Sequence, residues 1–97
     1  MNNMENIYLC NLYDYYSNLF TEKQKNYFED YYLDNLTLSE MSENYEISRN
    51  AIHKNIKETA TKLVEYEKKL HLYENNLKIK EILKEEPKIL EKIEDYI

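Results

Sequence analysis

Apolar residues recur along this chain at helical intervals almost from end to end. Met4, Tyr8, Leu12, Tyr15 and Leu19 follow one another at steps of four, four, three and four, which predicts a helix over residues 4–20 with these side chains on its buried face. Thr21 opens the tetrad TEKQ, a capping box with Gln24 at the third helical position. The helix it starts carries Tyr27, Phe28, Tyr31 and Tyr32 and ends near Leu33, where Asp34 and Asn35 supply turn residues. A second capping box, TLSE, spans 37–40 and predicts a short helix that buries Leu38 and Met41. A turn at 44–47 leads to Ser48, the N-cap of a longer helix beginning at Arg49. Two helices joined by a tight turn over 37–58 have the outline of a helix-turn-helix.

The helix from Arg49 carries a stricter pattern. Ile52, Ile56, Thr59, Leu63, Tyr66, Leu70, Tyr73 and Leu77 alternate steps of four and three without a break. That is a heptad seam of roughly 40 Å. With Ile56, Leu63, Leu70 and Leu77 at a, the g positions Lys62 and Lys69 precede the e positions Glu67 and Glu74 by five residues. Parallel self-pairing would set Lys against Glu, whereas antiparallel pairing would oppose like charges. Ile56, Leu63, Tyr66, Leu70, Tyr73 and Leu77 are therefore the expected homodimer interface. The same face equally suits the chain's own first helix or C-terminal segment, and both readings stay open at this level. Beyond Asn75 and Asn76 the periodicity resumes to Ile97, divided by Pro87, which predicts one helix ending near Glu86 and a last one starting at the proline. The expected organisation is all-α, with a helical domain over 1–62 and a helical extension over 63–97 that serves dimerisation.

Composition narrows the chemistry. The 97 residues contain no glycine, so phosphate-cradling loops of the GxxxxGK or GxGxxG kind are excluded and turns must be made by residues such as Asn. The single Cys10 forms no internal disulfide and lies near a predicted apolar stripe, the place of a structural thiol. No apolar run approaches the roughly 20 residues of a membrane span. The first ten residues lack a signal-peptide pattern, which predicts a cytoplasmic protein. Eleven tyrosines accompany abundant Asn, Lys and Ile, the signature of AT-rich coding rather than of a tyrosine chemistry.

The net charge of -6 is unevenly spread. Residues 1–47 carry -7 and residues 63–97 carry -2, whereas 48–62 carry +3, from Arg49, Lys54, Lys57 and Lys62 against Glu58. The one basic segment thus opens the second helix of the motif, where a helix-turn-helix meets nucleic acid. With Ile52 and Ile56 turned to the core, Arg49, Asn50, His53, Lys54 and Lys57 face outward as candidate nucleic-acid contacts. Arg and Asn suit bidentate reading of guanine and adenine, and lysines suit phosphates. Glu43 and Glu46 near the turn oppose such contacts, and four cations imply modest affinity.

The stretch FTEKQKNYFEDYYLDNLTLSEMSENYEISRNAIHKNIK, followed by LVEYEKKLHLYE, resembles the YlxM family, small proteins of Gram-positive bacteria and mycoplasmas. Its middle also resembles region 4 of bacterial sigma factors. The likeness runs from about Leu12 to Glu74, and TEKQKNY, YYLDNLTLSE and YEKKLHLYE are its most specific parts. It implies an all-helical fold with a sigma region 4-like helix-turn-helix and a role beside the signal recognition particle, with whose GTPase gene family genes are found. Ser42 stands where such motifs usually have Ala, and Glu46 where many have Gly.

Two function classes follow. One is a DNA-binding regulator, with the particle's RNA as a second ligand that a helix enters less easily because the A-form major groove is deep and narrow. The other is an adaptor that docks the particle's GTPase through acidic surface. An enzyme is not expected, nor a cofactor. His71 shares a helical face with Glu67 and Glu74, which could ligate a metal but more simply form exposed contacts one turn apart.

Overall fold

The computed structural model describes residues 3–97. Among them every regular element is helical and there is no strand. Helix α1 spans Asn3–Tyr16 and continues as a 3-10 turn, Ser17–Leu19. Helix α2 spans Glu22–Phe28 and widens into a π-helical turn, Glu29–Leu33. Helix α3 covers Leu38–Tyr45, α4 Arg49–Leu70, α5 Leu72–Leu83 and α6 Pro87–Ile93, with a final 3-10 turn at Glu94–Tyr96.

The caps set the boundaries as the sequence predicts. In the first capping box the Gln24 N–H donates to Thr21 Oγ1 at 3.2 Å, and the Thr21 N–H donates to Gln24 Oε1 at 2.9 Å. Thr37 and Glu40 repeat the exchange at 3.0 and 3.1 Å, and the Ala51 N–H donates to Ser48 Oγ at 3.2 Å. Pro87 sits in the first turn of α6, where its missing N–H costs no hydrogen bond.

Helix α4 is the axis of the molecule, packed by α1, α2 and α3. Its inward residues divide between two adjoining clusters. Ile52 and Ile56 join Tyr27 and Met41 beneath the helix-turn-helix, and Leu63 joins Leu9, Leu12, Tyr13, Tyr16, Phe20 and Phe28. Rings make much of the second cluster: Tyr13 stacks on Phe28 with centroids 4.4 Å apart, and Phe28 meets Tyr32 at 4.6 Å. Offset aromatic pairs of this kind add about 0.5–1.5 kcal/mol each beyond the area they bury. Cys10 is half-buried, and burial pushes its thiol pKa up, so it is no poised nucleophile.

Two sequence expectations change. Helix α1 buries Leu9, Leu12, Tyr13 and Tyr16, whereas Met4, Tyr8 and Leu19 are exposed; of the predicted stripe only Leu12 lies deep in the core. More consequentially, the long helix does not run on through its heptads. It breaks at His71, which adopts the left-handed conformation at φ 55°. The break is held from within the core. Glu67, 6% exposed, accepts from Tyr16 Oη at 2.6 Å, from the Tyr73 N–H at 3.1 Å and from the Glu74 N–H at 3.0 Å. The Leu72 N–H donates to Tyr16 Oη at 3.2 Å. A carboxylate from one helix thereby caps the next, where the amides of a new first turn favour negative charge.

The break reassigns the seam. Ile56 and Leu63 are buried inside the single chain. Tyr66 packs on the α1 cluster against Tyr16 and Phe20, and Tyr73 packs against Tyr8 and Tyr15 while accepting from Asn11 Nδ2 at 3.3 Å. Only Leu70 and Leu77 of the six stay exposed. A continuous two-copy zipper through all six positions is not available in this fold, because α1 occupies the face such a partner would need. Helix α4 also runs unbroken through residues 62–63, and the change in packing comes at His71. No helix among the described residues is long and apolar enough to cross a membrane.

Candidate nucleic-acid interface

Helices α3 and α4 and the turn between them form the helix-turn-helix. With no glycine available, Glu46 takes the left-handed position of the turn at φ 56°. Such a conformation costs a residue with a Cβ about 1–2 kcal/mol. Ser42 offsets part of that cost: its hydroxyl donates to the Ile47 carbonyl at 2.6 Å and ties α3 to the far side of the turn. In the sequence Ser42 is only a departure from the usual Ala; its bond across the turn is seen in the fold alone. Tyr45 supports the turn from the other side by donating its hydroxyl to an Asp30 carboxylate oxygen, and that bond, followed by burial, raises the Tyr45 pKa to about 12.

The five predicted contact residues lie on the first turns of α4, and all are exposed. His53 and Lys54 share a shallow groove along α4 with Asn50 and Lys57, and Glu58 and Lys62 continue it. The cations are therefore interleaved with an acid rather than forming an unbroken stripe. Arg49 is placed differently from its neighbours. Its guanidinium donates to Ser39 Oγ at 3.3 Å, so it leans over the start of α3 instead of pointing along the α4 axis. Thr37, Ser39, Arg49 and Asn50 line one concavity there. Nothing in the sequence singles out the Ser39 and Thr37 hydroxyls as part of this surface, beyond the rule that a capping segment of the first helix must sit beside the N-terminus of the second.

A second cluster lies at the elbow. Donor atoms of Glu67, His71 and Glu74 come within 4.8 Å of one another, and His71 Nδ1 lies 3.1 Å from Glu74 Oε2. Lys78 pairs with the other Glu74 oxygen at 3.1 Å, and the lysine, ahead of the imidazole, holds the Glu74 carboxyl below its usual pKa. Both Glu67 oxygens already accept backbone or phenol protons. Glu67 is engaged in capping α5, and the Glu74 side chain is engaged by His71 and Lys78 one turn away on either side.

A family model described as "Putative helix-turn-helix protein, YlxM / p13 like" matches residues 3–96. The chain belongs to the UPF0122 family. It is 49% identical over 76 residues to a UPF0122 protein of Oceanobacillus iheyensis, a match that covers 75% of this chain and 72% of the relative. A Geobacillus UPF0122 protein is 42% identical over 86 residues, covering 89% of this chain and 72% of the relative. One from Shouchella clausii is 51% identical over 63 residues, covering 65% and 58%. The family is described by its helix-turn-helix and not by a catalytic activity, and the all-helical fold agrees with that description.

Proposed function

We infer that this UPF0122 protein binds duplex nucleic acid, DNA in the first instance, through the start of α4, as a regulatory factor in the cytoplasm. One observation carries the reading: the most basic segment of an acidic chain, +3 over residues 48–62, coincides with the outward face of the second helix of a helix-turn-helix. On this reading Asn50 and His53 approach base edges, and Lys54 and Lys57 approach phosphates. Arg49 and Ser39 together suit a backbone phosphate beside the start of α3. The resemblance to the YlxM family suggests a setting in the signal recognition particle pathway, with the particle's RNA as a competing ligand.

A second reading has its own support. Residues 1–47 carry -7, a surface suited to a basic protein partner such as the particle's GTPase. Fluorescence anisotropy separates the two, using mixed-sequence duplex DNA and the particle's RNA across a salt series. Four cations predict that the logarithm of affinity falls by about 3 to 4 per tenfold rise in salt. Charge reversal of Arg49, Lys54 and Lys57 together should abolish binding. A folded protein that binds neither nucleic acid at low salt would overturn the first reading in favour of the adaptor.

A further inference from the structure

Helices α5 and α6 differ from the rest of the molecule. Residues 72–97 include Leu72, Leu77, Ile79, Ile82, Leu83, Ile89, Leu90, Ile93 and Ile97, yet none of these is buried. Ile79, Leu83, Leu90 and Ile93 are half-covered, and the two helices pack on each other. Ile82 is 75% exposed and Ile89 47%. Two amphipathic helices can shield only part of each other, and no further layer among the described residues completes their core. The molecule is correspondingly long, 51 Å by 25 by 24 Å.

The charges indicate what completes it. Residues 71–84 carry three lysines and two glutamates, +1, whereas residues 85–97 carry two lysines and five acids, -3. One helix of the hairpin is thus weakly basic and the other acidic. A two-fold axis that laid α5 of one copy over α6 of the other would satisfy both contacts at once, because an isologous interface repeats each complementary pair. A uniformly acidic or basic partner would match one helix and oppose the other.

We propose that the α5–α6 hairpin is a self-association surface on which a second copy of this chain docks, α5 against the partner's α6, to close a four-helix bundle. Such a dimer needs no residue of the first heptads of α4, which the chain's own core consumes, and it leaves the exposed start of α4 free. It stands independently of the nucleic-acid reading, since it is measured without any nucleic acid.

Sedimentation equilibrium of the full chain, from low micromolar to submillimolar concentration, should show twice the 11.9 kDa chain mass at the upper end. The exposed pair Ile82→Lys with Ile89→Lys should sediment as monomer throughout with its helical circular dichroism retained. A mixing experiment tests the arrangement. Lys80→Glu with Lys84→Glu, and separately Glu91→Lys with Glu94→Lys, should each weaken self-association, because each places like charges across the axis. An equimolar mixture of the two should recover the dimer, an effect that contacts within one chain cannot produce. Wild type that remains at 11.9 kDa throughout, or a dimer indifferent to Ile82 and Ile89, would overturn the proposal. A mixture no heavier than its components would overturn the crossed packing of α5 on α6.

Discussion

Replacing Glu67 by Ala should destabilise the fold far more than a change of one glutamate on a charged helix ordinarily does. The carboxylate accepts one phenol proton and two amide protons, all close to the elbow at His71. Losing an N-cap acceptor costs about 0.5–2 kcal/mol. A hydrogen bond to a charged acceptor contributes about 1.5–3 kcal/mol, so losing the Tyr16 bond alone is comparable with losing the cap. Together these give about 3–4 kcal/mol, a large share of the roughly 5–15 kcal/mol that holds a domain folded. Tyr16→Phe should cost about 2 kcal/mol, since it also removes the acceptor of the Leu72 N–H. The two losses overlap, and a double-mutant cycle in urea, followed by far-ultraviolet circular dichroism, should return a coupling of about 1–3 kcal/mol. Glu67→Gln keeps the shape and one acceptor and should fall between wild type and Ala. The reasoning fails if Glu67→Ala shifts stability by less than about 0.5 kcal/mol, the range of ordinary surface substitutions, or if the two substitutions are additive.

Two further outcomes follow from the same kind of bonding. The hydroxyls of Tyr16 and Tyr45 both have pKa values raised to about 12, Tyr16 by burial and then by its bond to Glu67, Tyr45 by its bond to Asp30 and then by burial. An unfolded tyrosine titrates near 10, so the stability these groups provide is complete below pH 10 and is lost as pH rises towards 12. Urea midpoints should fall over that interval by an amount equivalent to about 2 kcal/mol per tyrosine, and Tyr45→Phe should reduce the slope; a flat profile between pH 10 and 12 would contradict the assignment. At the turn, Glu46→Gly should relieve the left-handed strain and, net of glycine's extra chain entropy, raise stability by about 0.5–1 kcal/mol. A lower urea midpoint for that variant would show that the Glu46 side chain contributes more than its backbone costs.

What the sequence disclosed was mostly local. Thr21, Thr37 and Ser48 are caps whose partners lie three residues away, so the tetrads themselves specify the bonds. The helix-turn-helix was legible for the same reason, and so was the outward face of α4. The buried face of α1 was not, because tyrosines populate both sides of it, and an amphipathic ring satisfies an apolar stripe or a half-exposed one equally well. The elbow was less legible still. No glycine or proline marks His71, and the heptad spacing passes through it undisturbed. What ends the helix is a buried glutamate whose partner, Tyr16, is 51 residues away in sequence. Tyrosines attributed to coding bias thus include several with assigned bonds: Tyr13 donates to Glu29 at 2.6 Å, and Tyr16 and Tyr45 donate to Glu67 and Asp30. Composition cannot distinguish a tyrosine that fills space from one that satisfies a buried carboxylate.

The position of the elbow bears on how an acidic protein can carry a helix-turn-helix. At physiological salt, charges farther apart than about 8 Å are largely screened from one another. If nucleic acid docks at the start of α4 as proposed, it responds chiefly to the +3 segment and to the acids within that distance, such as Glu58 beside Lys54 and Lys57, and less to the net charge of the whole chain. Lowering the salt lengthens the screening distance to about 30 Å at 0.01 M and brings the acidic remainder into play. The gain in affinity on diluting salt should then flatten at the lowest ionic strengths, where a uniformly basic binder would continue to gain. By turning the chain at His71, Glu67 also sets the start of α5 against α1, where Tyr73 meets Tyr8 and Tyr15, instead of continuing α4 as one helix. It so releases the apolar tail from the seam and leaves it exposed, with the proposed nucleic-acid face and the proposed self-association face on different helices of one small fold.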